Sequence, residues 1–151
     1  MPPELLTGLI ALSGVLVGYL FHFLTSHIDR RERRHRLLRE KYEELCKNIL
    51  DSTREVQDMT MTLQTSVQPV PPVAPQKAHY LALVYFPELK QATADYSNAC
   101  TNYHKFLLEA RHIYGQPAKH PKFHAEAESV MEAKSRVDEL IETHASRYTK
   151  A

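Results

Sequence analysis

An uncharged stretch of twenty residues, Leu5 to Leu24 (LLTGLIALSGVLVGYLFHFL), limits what this chain can fold into more than any other feature. It holds no Asp, Glu, Lys or Arg. As a helix it would extend about 30 Å, the thickness of a bilayer's hydrocarbon core. A cleavable signal sequence needs a basic leader, a shorter apolar run and a small-residue cleavage site. Here Met1, Pro2, Pro3 and Glu4 precede the run, and Thr25, Ser26, His27 and Ile28 follow it, ahead of several arginines. The pattern predicts a retained transmembrane helix within residues 1–28.

Charge asymmetry sets the expected orientation. One flank carries only the terminal amine and Glu4; the other carries Arg30, Arg31, Arg33, Arg34, Arg36, Arg39 and Lys41. Basic flanks stay on the cytoplasmic side, so the N-terminus is expected outside and residues 29–151 in the cytoplasm. This plan resembles that of many small proteins of the bacterial inner membrane. Arg30, Arg31, Arg33, Arg34 and Arg36 are placed to meet anionic lipid headgroups, at about 1 kcal/mol per basic residue near the surface. Asp29, Glu32 and Glu40 offset part of that attraction.

Within the apolar run, Thr7, Ala11, Gly14 and Gly18 recur at spacings of four, three and four, one stripe of a helix. Small residues on one stripe let two membrane helices approach closely. A homodimer through this face is therefore expected, with His22 one turn further along it.

Three of the four glycines lie in that run, so the rest is nearly glycine-free, which favours helices over tight-turned β structure. Leu38, Tyr42, Leu45, Ile49, Val56, Met59 and Leu63 form a heptad-like stripe, with Ser52 in its gap. They predict a helix over about 29–66, either continuous with the membrane helix or broken near Ser26. Pro69, Pro71, Pro72 and Pro75 make 67–76 a linker. A second helix is expected over 77–114, kinked or started by Pro87, with Leu89, Ala92, Tyr96, Ala99, Tyr103, Phe106, Ala110 and Ile113 as its apolar face. Gly115 and Pro117 end it, and Pro121 opens a third helix to about residue 148, with Phe123, Ala127, Val130, Val137, Leu140, Ile141, His144 and Tyr148 as its stripe. The expected fold class is all-α: one N-terminal transmembrane helix, then an up-down-up three-helix bundle. The first two bundle helices would form an antiparallel hairpin, with Cys46 and Cys100 at one height.

The plan is similar to that of the b subunit of the rotary ATP synthase, with an N-out membrane helix, a basic juxtamembrane segment and a helical cytoplasmic part. The linker prolines and Pro87, Pro117 and Pro121 forbid the unbroken stalk helix which that role requires.

Reactive chemistry has little support. Lys+Arg number 19 and Asp+Glu 18, so no nucleic-acid partner is expected. His120 and His124 are separated by Pro121, and Glu109-x-x-His112 has no second Glu-x-x-His to complete a di-metal site. Cys46 and Cys100 fit small buried core residues better than nucleophiles. No nucleotide, hydrolase or metalloprotease motif occurs. No cofactor, metal or catalytic residue is expected. The expectation is a non-enzymatic, membrane-tethered interaction module with lipids and an unidentified protein as partners. The alternative is a sensor holding a small ligand or metal in its bundle.

Overall fold

The computed structural model describes the backbone of residues 3–62, 68–114 and 120–149, with their side chains from Val15 onward except Leu16, Leu24, Ile113 and Tyr114. The protein is all-α, with no strand among the described residues. Helix α1 spans Pro3–Met61, α2 Ala74–Tyr85, α3 Lys90–Tyr114 and α4 Phe123–Thr149, and a 3-10 turn at Pro87–Leu89 leads into α3. Two compact units divide the chain, Met1–Leu37 and Leu38–Ala151.

Ser26 does not break α1. Its hydroxyl donates back to the Phe23 carbonyl at 2.9 Å, and Thr25 donates to the Phe21 carbonyl at 2.5 Å. Both hydroxyls thus bond within the helix instead of capping a new one. Among the described residues, no helix is long and apolar enough to cross a membrane. Most side chains of the Leu5–Leu24 run, including those of Thr7, Ala11 and Gly14 in the small-residue stripe, lie outside the described ones.

The second unit is a helical bundle whose core follows the heptad-like stripe. Tyr42, Leu45, Ile49, Ser52 and Met59 of α1 are buried, and Leu38 and Val56 pack against that core. Leu63 lies outside the described residues.

The expected second helix is two helices. Residue Phe86 takes φ −135° and ψ 71°, outside the helical region, as a residue before proline tends to do. Pro87 then starts the 3-10 turn and the chain reverses. His79 of α2 lies 3.3 Å from the hydroxyl of Thr93 in α3, across the resulting hairpin. Ala74, Ala78 and Ala82 are buried, and these small side chains let α2 lie close against its neighbours.

Splitting that helix changes the bundle. Tyr96 contacts Ser52, and Tyr103 contacts Thr60, so numbering rises together and α3 runs parallel to α1. The antiparallel hairpin of α1 with the helix bearing Cys100 is therefore not formed. Running against α1 is α2, from Ala74 beside Glu55 to Phe86 beside Tyr42. Helix α4 also opposes α1: Tyr42 donates to the Ile141 carbonyl near one end, and Thr60 shares a cleft with Phe123 near the other. The expected up-down-up order of three helices is replaced by an up-down-up-down order of four.

The proline linker ends earlier than expected and is tied down. Its non-helical part ends at Val73, and Pro75 sits in the first turn of α2, where a missing N–H costs nothing. The Glu55 carboxylate accepts hydrogen bonds from the Val73 and Ala74 amides, both at 2.9 Å. It satisfies orphan donors and places negative charge at a helix N-terminus. Pro69 and Pro72 are buried, and His104 Nε2 donates to the Pro69 carbonyl at 3.0 Å.

Candidate functional site

Each unit carries a groove or cleft on its described surface. In the first unit, Phe23, Ser26, His27, Arg30, Arg31 and Arg34 line a groove of about 420 Å³ along one face of α1. Their spacing of three and four places them on that face. His27 sets its ring against the edge of Phe23, with centroids 6.4 Å apart. The five arginines singled out from sequence separate here. Arg36 pairs with Glu32 at 3.3 Å, and Arg33 donates to the Asp29 carbonyl at 3.3 Å. Arg30, Arg31 and Arg34 face the groove. On the small-residue stripe only Gly18 is described in full, and a Cβ built there would meet nothing within 4 Å.

In the second unit, α1, α3 and α4 enclose a cleft of about 700 Å³. Thr53, Val56, Gln57, Thr60 and Met61 line it from α1, Tyr96 and Tyr103 from α3, and Phe123, Ala127, Val130, Met131 and Lys134 from α4. Helix α4 forms one wall of the cleft and buries Val130 and Val137. The two tyrosine hydroxyls are engaged, Tyr96 with Ser52 at 2.7 Å and Tyr103 with Thr60 at 3.2 Å. Burial raises the pKa of both phenols, so they stay neutral. Lys134, the one charged lining residue, donates to Asp138 at 2.5 Å. Periodicity placed Tyr96, Tyr103, Phe123 and Val130 on inward faces, but not which inward side chains leave space between them.

The candidates for reactive chemistry lie apart. Burial pushes the Cys100 thiol up to about 12 and also raises Cys46, the reverse of what a nucleophile needs. His104, one turn from Cys100, is held by the Pro69 carbonyl. His120 Nδ1 accepts from the Lys122 amide at 3.1 Å, and its ring meets the edge of Phe106. Among the described residues, no group of three or more His, Cys, Asp or Glu side chains could hold a metal.

At the far end of the bundle from the cleft, Tyr42, Phe86 and Tyr148 form an aromatic cluster, with centroids 4.9 to 5.4 Å apart. Tyr148 donates to Glu88, which Arg147 also approaches at 3.5 Å. Burial acts to raise the Glu88 pKa, but the Tyr148 hydrogen bond and the nearby Arg147 outweigh it and leave the carboxyl lowered.

No protein-family model, no curated protein and no solved structure matches this chain.

Proposed function

We propose that this protein is a single-pass, membrane-tethered helical module, with its N-terminus outside and its helical domain at the cytoplasmic face, acting as an interaction surface and not as an enzyme. The observation that carries the reading is the exposure of Val15, Val17, Leu20, Phe21 and Phe23 on α1, within a run of twenty uncharged residues. Phe21 is 72% exposed and Val15 73%. Apolar surface left in water costs about 25 cal/mol per Å², whereas a bilayer removes that cost. Arg30, Arg31 and Arg34 follow at the cytoplasmic boundary, where anionic headgroups would meet them.

Two faces support the interaction role. The open side of Gly18 suits close approach by a second copy of the membrane helix. On α2, Tyr80, Leu83 and Val84 are exposed, and the helix contains no acidic residue. Such an apolar face suits a protein partner. Fractionation of cells making the full chain tests the tether: the protein should stay in the membrane pellet after an alkaline carbonate wash, and release into the supernatant would contradict it.

The cleft of the second unit favours a second reading, a tethered sensor whose bundle binds a small ligand. Its size lies within the range of about 300–1,000 Å³ common to small-molecule sites.

A further inference from the structure

We propose that the cleft between α1, α3 and α4 binds a single-chain anionic amphiphile, with its carboxylate at the Lys134 end and its hydrocarbon tail running toward Phe123. This rests on the second reading, that the bundle holds a ligand.

The antiparallel course of α1 and α4 gives the cleft two different ends. Thr53 and Lys134 lie toward one, Met61 and Phe123 toward the other. From Phe123 to Lys134 is eleven residues of α4, or roughly 16 Å along the helix. An extended alkyl chain advances roughly 1.25 Å per carbon, so that length matches about twelve carbons.

Between the ends the walls are mostly hydrocarbon and aromatic ring, with Gln57 and Thr60 of α1 among them. The tyrosine hydroxyls there are already engaged with Ser52 and Thr60. Gln57 is the one side-chain amide lining that stretch, so a polar ligand would lose most of its water for a single partner, which costs more than it returns. A hydrocarbon chain loses nothing. Met131 is 72% exposed and Met61 70%, and their flexible thioethers can close over an alkyl chain.

Polar recognition is confined to the end where the cleft has its single charge. Among the described residues, no acidic side chain lines the cleft and Lys134 is its only cation. Its ammonium has three donors, of which the Asp138 carboxylate takes one. A second carboxylate can be bonded by the remaining donors.

The test uses the full chain in nanodiscs with ¹³C-methyl methionine, which labels Met1, Met59, Met61 and Met131. Dodecanoate and dodecan-1-ol are titrated separately. Dodecanoate should shift the Met61 and Met131 methyls saturably, while Met1 stays in place. Lys134→Gln, at a partly exposed site, should weaken dodecanoate about tenfold, or about 1.4 kcal/mol, and leave dodecan-1-ol unchanged. Ala127→Trp should abolish both responses. If both probes shift these methyls but Lys134→Gln changes neither, the anionic class is overturned and the bundle still holds an apolar ligand. If neither probe shifts Met61 or Met131, the amphiphile site and the ligand-binding reading fall together.

Discussion

The Tyr96 hydroxyl lies 2.7 Å from Ser52 Oγ, and both side chains are fully buried. Ser52 occupies the gap in the apolar stripe of α1, so the break in the heptad is where the bundle places a polar contact. Ser52 also donates to the Ile49 carbonyl at 2.6 Å, which makes Tyr96 the donor in the contact. Tyr96→Phe should therefore cost about 1 kcal/mol. Ser52→Ala removes the acceptor from a buried phenol and should cost more, about 1–3 kcal/mol. The double variant should lose less than the sum of the two, since neither group is then left unpaired. Thermal unfolding followed by circular dichroism checks all three.

The two cysteines should resist oxidation to a disulfide. By the register set at Tyr96 and Tyr103, Cys100 stands opposite position 56 of α1. Cys46 is ten residues away from that position, or roughly 15 Å along the helix, too far for a bridge. Copper-phenanthroline treatment should leave the folded monomer without an internal crosslink. A thiol reagent should label Cys100 only after unfolding, because the side chain is buried and its pKa is raised to about 12.

Stability should fall at both ends of the pH scale, for different groups. Glu88 has a lowered pKa in the fold, so its contribution is present above the ordinary value of 4.5 and is lost as pH falls through the folded value. Cys100, Tyr42 and Tyr148 are each raised to about 12, mainly by burial. Their contributions are complete below their ordinary values of 9.0 for the thiol and 10.0 for the phenols, and are lost as pH rises beyond those values. The melting temperature should thus decline from about pH 9 upward, as the ordinary thiol value implies. Glu88→Gln should flatten the acid side of the profile, and Cys100→Ala should reduce the loss between about pH 9 and pH 10, leaving the part due to the raised Cys46 thiol.

Self-association should depend on the small-residue stripe. Gly14→Ile with Gly18→Ile places branched side chains where two backbones would meet, and should weaken the signal in a membrane two-hybrid assay several-fold. An unchanged signal would assign any association to another surface.

Helix content and the inward faces of α1, α3 and α4 were legible in the sequence because burial follows the helical period. Tyr42, Leu45, Ile49, Tyr96, Tyr103, Val130 and Val137 all fall on the stripes that spacing marks. The number of helices was less legible. Proline at position 87 is compatible with a kink or with a new helix, and the outcome depends on the ψ of Phe86, which tertiary packing sets. Phe86 is buried against Tyr42 and Tyr148, and that contact favours the reversal. Glu55 as the cap of α2 is 19 residues from Ala74, so no local capping pattern could reveal it. The cleft depends on which inward side chains of α1, α3 and α4 leave space between them, which periodicity does not encode. The arginine cluster was visible as charge, but the division between engaged Arg33 and Arg36 and groove-facing Arg30, Arg31 and Arg34 required side-chain geometry.

The tether and its orientation are tested most directly by a dual reporter fused after Ala151 in a bacterial host. One half fluoresces only when folded in the cytoplasm, and the other is a phosphatase active only in the periplasm. The fusion should fluoresce from the membrane fraction and show no phosphatase activity. Replacing Arg30, Arg31, Arg33, Arg34 and Arg36 with Gln should shift part of the population to the opposite orientation. Phosphatase activity from the unaltered chain would contradict the cytoplasmic placement, and fluorescence confined to the soluble fraction would contradict the membrane helix itself.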